Sequence, residues 1–250
     1  MDLELKGRVA VVTGTSVGIG REIAKVLAAE GVQTVVTARR ANLLATLQDE
    51  IERAGGLRPL AVPLDLYQAE SAARLRDAAL SAHGHVDILI NNAGGSRTVP
   101  WDSPDSVWDE SFSINFTAVR RVTQAHLPGM DEPRWGRVLC ATGSAEPSTV
   151  NAAVAAKAGV HAWAKGLSRE IGRHGITINC LAPGRVHSEQ IDKRLHPTPE
   201  SQAEFSKNIP LGYFGDPGDV AFLAAFLCSP RAHYITGERI HVDGGMHRSV

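Results

Sequence analysis

The chain is predicted to be an α/β protein on a doubly wound parallel sheet of about seven strands with helices on both faces. Three observations carry that prediction. Short β-branched runs alternate with longer segments of helical periodicity along the whole chain. No linker, repeat or composition break divides the 250 residues, so a single domain over 1–250 is expected. A glycine-rich turn, Thr13-Gly14-Thr15-Ser16-Val17-Gly18-Ile19-Gly20, lies between the first strand and the first helix, at the strand end where such sheets gather their ligands.

Strands are expected at 9–12 (Val9-Ala10-Val11-Val12), 34–37, 59–62 and 86–90, each short and apolar as strands buried on both faces are. Between them, 19–29, 41–54 and 69–82 place apolar residues three and four apart, and Gly31 and Gly55-Gly56 punctuate the helix ends. His83 and His85, flanking Gly84, read as residues of a helix end. The second half repeats the rhythm with a strand at 137–141, an alanine-rich helix over about 151–172, a strand at 177–181, a helix at 216–228 and a last strand at 239–242. The stretch 185–214 is rich in charge and turn residues without strong periodicity, as a mobile lid over a site would be.

Composition narrows the function classes. A formal charge of −1 offers no electrostatic footprint for nucleic acid or an anionic membrane, so a small-molecule ligand is expected. Cys140, Cys180 and Cys228 are an odd set, far apart in sequence and without CxxC spacing, which argues against a disulfide framework or a zinc site. The histidines show no metal-ligand spacing, so no metal is expected. Residues 1–8 lack the apolar core of a signal peptide, and no apolar run reaches the ~18 residues of a membrane span. A soluble, cytoplasmic protein is the expectation.

The turn at 13–20 suits a nucleotide, because glycines permit close approach of backbone N–H groups to a pyrophosphate seated on a helix N-terminus. Further motifs follow in order. Asp65 comes after the third strand and Asn91-Asn92-Ala93-Gly94 after the fourth; Asn115 sits in Ser113-Ile114-Asn115-Phe116; Pro183-Gly184 is followed by Ser188. Ile235-Thr236-Gly237 and Val242-Asp243-Gly244-Gly245 close the series. Along its whole length the chain thus resembles the short-chain dehydrogenase/reductase family, with the flavour of its 3-oxoacyl-carrier-protein reductase-like members.

That resemblance implies a Rossmann-type fold and hydride transfer between a nicotinamide cofactor and a carbonyl or hydroxyl compound. It assigns Gly14, Thr15, Ser16, Gly18, Ile19 and Gly20 to the pyrophosphate turn, and Asp65 with Leu66 to the adenine. Asn92, Ala93 and Gly94 fall beside the cofactor, and Pro183, Gly184, Val186 and Ser188 over the nicotinamide. Lys157 would hold the nicotinamide ribose, with Asn115 supporting it through water. Family members of this size are usually homotetramers that pair helices around 104–127 and 151–172 and the last strand; Ala152, Ala155, Ala156 and Ala162 would allow close helix approach.

Cofactor choice is read at the end of the second strand, where an acidic residue would bind the ribose hydroxyls of NAD(H). Ala38 stands there, followed by Arg39 and Arg40, a fork suited to a 2′-phosphate, so NADP(H) is favoured over NAD(H). Val17 lies where NADP(H)-using relatives often carry a basic residue. At the catalytic centre, positions 153 and 157 share one helical face. Lys157 is present, but the position of the proton-donating tyrosine holds Ala153, and the tyrosines of the chain, Tyr67, Tyr213 and Tyr234, lie elsewhere. For the carbonyl-orienting hydroxyl, Ser144 is preferred with Thr142 as the alternative, and the loop onward to Asn151 is shorter than usual. Neither hydroxyl is an acid near pH 7. Ala153 is explained either by an engineered Tyr-to-Ala exchange that leaves a low-activity oxidoreductase, or by a natural departure giving a non-catalytic NADP(H)-binding structural or regulatory protein. Arg97, His187, Glu189, Lys193, Arg194, His196 and Tyr213 are available to meet a polar or anionic substrate or to face solvent. Trp101 and Trp108 would wall the pocket mouth or anchor a helix.

Overall fold

The computed structural model describes residues 1–96, 98–143, 146, 147 and 149–249. Seven strands run β1 (Val9–Thr13), β2 (Gln33–Thr37), β3 (Leu60–Ala61), β4 (Ile88–Asn91), β5 (Gly136–Ala141), β6 (Ile176–Pro183) and β7 (Arg239–Val242). They form one sheet in the order β3-β2-β1-β4-β5-β6-β7, with every pairing parallel. The order reverses between β1 and β4, and this opens a crevice at the carboxyl ends of those strands. The Rossmann-type doubly wound sheet read from the sequence is therefore the observed one.

Side-chain alternation sorts the core into two layers. Ala10 and Val12 of β1 point to one face, where α1 (Gly18–Ala29), α2 (Ala41–Arg53) and α8 (Pro217–Cys228) contribute Ile23, Leu44 and Val220. Val9 and Val11 point to the other, where α3 (Ser71–His83), α5 (Ala118–Asp131) and α6 (Ala152–Ile171) contribute Leu75, Val122 and Val160. Cys140 and Cys180 meet as register partners on β5 and β6, an adjacency that their forty-residue separation in sequence conceals. The thiols at Cys140, Cys180 and Cys228 are free and buried.

One buried carboxylate ties the central strands together. Asp87, 6% exposed, accepts from the Val9 backbone N–H at 2.9 Å and from Arg8 Nη1 at 3.1 Å, while its own N–H donates to the Val9 carbonyl at 2.9 Å. Asp87→Ala would leave the Val9 N–H without its acceptor and Arg8 without its counter-charge. The expected cost is about 2–4 kcal/mol, a fall in melting temperature on the order of 10 °C, read by calorimetry; a change within 1–2 °C would show that water replaces the carboxylate freely.

Three differences from the sequence expectation have physical causes. The 185–214 stretch contains a π-helical turn (Ile191–Leu195) and a short helix, α7 (Pro199–Ser206). Ile191, Ile209 and Phe214 form a small cluster there, backed by Phe205 and Met246. α7 has too few turns to establish an apolar period, and its start is marked by the Thr198 cap, which accepts from Ser201 N at 3.2 Å, and by Pro199 at its first position. Ahead of α5, α4 (Asp105–Phe112) passes into it through a π-helical segment (Ser113–Thr117) that no periodicity announces. Finally, Ala152 and Ala156 are buried against the protein's own core, so of the small residues expected on an outer face of α6 only Ala155 and Ala162 are exposed.

Candidate active site

The crevice between β1 and β4 opens into a cleft of about 840 Å³, the size of a site that engulfs a large cofactor. Its floor is the β1–α1 turn. Gly14 (φ +70°) and Gly18 (φ +64°) take the left-handed conformation that other residues resist. The Asn92 side chain donates to the carbonyls of Thr13 and Gly14 at 3.2 and 3.1 Å, and Thr13 Oγ1 accepts from the backbone N–H groups of Asn92 and Ala93 at 2.9 and 3.0 Å. The turn after β4 thereby staples the glycine turn from the side. A Cβ at Gly20 would lie 2.2 Å from Asn92 Nδ2, so this glycine exists to admit that staple.

One end of the cleft wall is formed by Ala38, Arg39 and Arg40 after β2 and by Asp65 and Leu66 after β3. Arg40 Nη2 donates to Ser16 Oγ at 3.2 Å and pairs with Glu189 Oε2 at 2.9 Å. Asp65 Oδ1 accepts from the Tyr67 N–H at 3.2 Å, which turns the chain away from β3. One arginine thus reaches the glycine turn while paired with a carboxylate.

At the opposite end, Ala153 is 2% exposed and sits on the cleft wall at the start of α6, where Asn151 Oδ1 accepts from the N–H groups of Ala153 and Val154 at 3.0 and 3.2 Å. One turn later, Lys157 Nζ donates to the Thr142 carbonyl at 3.0 Å, and burial lowers its pKa to about 8, so the ammonium is retained at neutral pH. The π-helical segment carries Asn115 into the cleft; its Oδ1 accepts from Gly95 N at 3.2 Å and its Nδ2 donates to the Ser111 carbonyl at 2.9 Å. Gly94 keeps this corner open, because a Cβ there would stand 2.7 Å from Asn115 Oδ1 and 3.8 Å from Lys157 Cε.

A second turn along the same face of α6 brings His161 to Thr142, with Nε2 2.8 Å from Oγ1. The Thr142 hydroxyl gives its proton to the Leu181 carbonyl at 2.9 Å, so His161 must donate through Nε2. Burial pushes the imidazole down to about 4, which leaves it neutral at pH 7. Thr142 is buried and fully engaged. It is therefore unsuited to polarise a substrate carbonyl, which corrects its standing as the alternative to Ser144. Ser144 itself, like Arg97, lies outside the described residues.

Comparison with known proteins matches the family model described as Enoyl-(Acyl carrier protein) reductase over residues 14–247. The chain is 36% identical to the 3-oxoacyl-[acyl-carrier-protein] reductase of Vibrio harveyi over 98% of its own length and 99% of that protein. The chain belongs to the short-chain dehydrogenase/reductase family, a family of oxidoreductases. It is also 32% identical to the 7alpha-hydroxysteroid dehydrogenase of Escherichia coli K12, over 98% of this chain and 96% of the other. Among solved structures, L-sorbose reductase from Gluconobacter frateurii complexed with NADPH and L-sorbose superposes with a TM-score of 0.95 at 28% identity, covering 100% of both chains. A 7 alpha-hydroxysteroid dehydrogenase complexed with NADH and 7-oxo glycochenodeoxycholic acid does so with a TM-score of 0.93 at 31% identity, covering 99% of this chain and 97% of the other.

In this member of the short-chain dehydrogenase/reductase family, Gly14, Ser16, Gly18, Ile19, Arg39, Arg40, Asp65, Leu66, Asn92, Ala93, Gly94, Asn115, Ala153 and Ser188 all stand on the cleft wall. Several residues assigned to the cofactor do not. Thr15 is 0% exposed, and its N–H and hydroxyl both donate to the Thr37 carbonyl, at 3.3 and 3.4 Å; it anchors the turn to β2. Gly20 is committed to Asn92, and Pro183 and Gly184 to the β6–β7 pairing, where a Cβ at Gly184 would lie 2.6 Å from Asp243 Cβ. Val186 is buried and bridges to Gly215. Trp101 is exposed away from the wall and Trp108 is half-buried on α4. Of the residues of 185–214 expected to meet a polar substrate, Glu189, Lys193 and Arg194 line the cleft. His187 pairs with Asp192 at 2.8 Å, and His196 packs on Phe205 and Phe214. Sequence reasoning missed Ser96, Glu110, Ser111, Ile114 and Gln190 on the wall, and it missed His161. Only His161 carried a signal, its position eight residues beyond Ala153 on the same helical face.

Proposed function

We propose that the protein binds NADP(H) in the cleft and acts on a carbonyl or hydroxyl compound, with turnover held low because Ala153 supplies no proton to the substrate oxygen. The observation that carries this reading is that Gly14, Gly18, Arg40 and Asp65 line one cleft together with Ala153, whose side chain is only a methyl. The cradle fits the cofactor on its own geometry, since two left-handed glycines bare the turn and Arg40 places a cation beside it. When bound, the cofactor would supply or accept the hydride.

The chain's own residues then orient and neutralise. Lys157 would hold the nicotinamide ribose with its ammonium, and Asn115 would fix the corner beside it. Arg39 and Arg40 would grip the 2′-phosphate, in keeping with the NADPH of the L-sorbose reductase complex. The NADH of the hydroxysteroid dehydrogenase complex shows that the fold serves either cofactor, so the arginines carry the preference. Elements 185–214 would serve as the substrate lid. A cytoplasmic, tetrameric enzyme is the assembly we infer from the family; among the described residues no helix is long and apolar enough to cross a membrane, and no group of three or more His, Cys, Asp or Glu is placed to hold a metal.

Calorimetric titration with NADPH and NADH, followed by turnover assays on ketones, 3-oxoacyl thioesters and sugar carbonyls, tests the proposal. Charge-assisted hydrogen bonds to the 2′-phosphate are worth about 1.5–3 kcal/mol, so NADPH is expected to bind at least about tenfold more tightly than NADH. Equal binding would remove the cofactor preference, binding of neither would remove the reading, and rapid turnover would show that another group delivers the proton.

A further inference from the structure

The start of the 185–214 segment crosses the cleft as a strap bonded at both walls. On the adenosine side, Glu189 Oε2 accepts from Arg40 Nη2 at 2.9 Å, a contact spanning 149 residues of chain. The same Arg40 nitrogen reaches Ser16 Oγ in the glycine turn at 3.2 Å. On the far side, Gln190 Nε2 donates to the Ser96 carbonyl. Between them Ser188 lies so near the turn that a Cβ at Gly18 would come within 3.4 Å of its own Cβ. Lys193, one turn on, also reaches Glu189, at 3.4 Å. A carboxylate therefore sits on the guanidinium that would receive an anionic group beside the glycine turn, and Arg40 holds that carboxyl below the usual carboxylate range.

The geometry points to Glu189 as a built-in competitor of the cofactor's 2′-phosphate: a 2′-phosphorylated nucleotide must take Arg40 from Glu189, which releases this end of the strap, whereas a nucleotide without that phosphate leaves the pair intact. The inference rests on the NADP(H) reading and adds a residue that sets its strength. Both partners are partly exposed, 45% for Arg40 and 38% for Glu189, so the competition is modest.

Calorimetry on the full chain with 2′,5′-ADP and 5′-AMP isolates the adenosine end. Glu189→Gln is expected to tighten 2′,5′-ADP binding about two- to fivefold and to leave 5′-AMP unchanged, and the gain should vanish when Arg40→Ala is added. If the unaltered chain prefers 2′,5′-ADP but Glu189→Gln binds it no better, the competitor is disproved while the cofactor reading stands. Equal tightening of both nucleotides would make Glu189 a mere obstruction and would also overturn the inference. No preference for 2′,5′-ADP in any variant would fell the cofactor reading and this inference with it.

Discussion

Ala153→Tyr is expected to raise the rate of carbonyl reduction ~10²–10⁴-fold, which corresponds to about 3–5 kcal/mol of barrier. Ala153 lines the cleft at the first turn of α6, and Lys157 one turn later stands just behind the wall, with Cε close to Gly94 and Nζ donating to the Thr142 carbonyl. A phenol added at 153 would find that charge on its own helical face, and a nearby cation favours the phenolate and so eases proton donation. Asn115 already braces the same corner, through Gly95 N and the Ser111 carbonyl. Ala153→Phe separates chemistry from packing, since it fills similar space without a proton. A rise in the tyrosine variant alone establishes the missing acid. Equal rises in both variants would mean that closing the cleft is what matters, and no rise in either would favour the binding protein. The cofactor affinity of all three should differ little, because the adenosine and pyrophosphate ends are untouched.

The second large effect is expected from Gly20→Ala. The added Cβ would meet Asn92 Nδ2 at 2.2 Å, the Gly14 carbonyl at 2.6 Å and Asn92 Cγ at 3.0 Å, and neither the backbone oxygen nor the short amide can yield cheaply. Asn92 would have to abandon the Thr13 and Gly14 carbonyls. Two part-buried hydrogen bonds at ~1 kcal/mol each and 1–3 kcal/mol of overpacking give a loss of roughly 3–5 kcal/mol in stability. NADPH affinity should fall by about tenfold or more, since the turn that presents its N–H groups would no longer be stapled. Denaturant unfolding and calorimetry would report the two losses. An unchanged affinity would show that the turn keeps its shape without Asn92.

Much of the architecture was legible because the signals are local. β1 reads as a strand from the short apolar run Val9-Ala10-Val11-Val12, and α1, α2 and α3 from three- and four-residue spacing. β3 is shorter than 59–62 because Leu60 and Ala61 pair only with Val35 and Val36 at the sheet edge. The π-helical segment that delivers Asn115 was not legible, since a one-residue widening of a helix leaves no mark on apolar spacing. α7 was hidden by its brevity and by the charge around it.

The site divides in the same way. Family motifs along the chain pointed to the glycine turn, Asp65, Lys157 and position 153, and the strand end at Ala38 pointed to Arg39 and Arg40, because identity and spacing are properties of the covalent chain. What each side chain does there depends on which strand end or loop meets it. Only the folded chain shows that Thr15 is spent on Thr37, that Gly20 makes room for Asn92, that the Thr142 hydroxyl is consumed by Leu181 and His161, and that Arg40 meets a carboxylate 149 residues away. These are contacts between elements distant in sequence. They arise from the register of parallel strands and the path of the 185–214 segment, which no local period encodes.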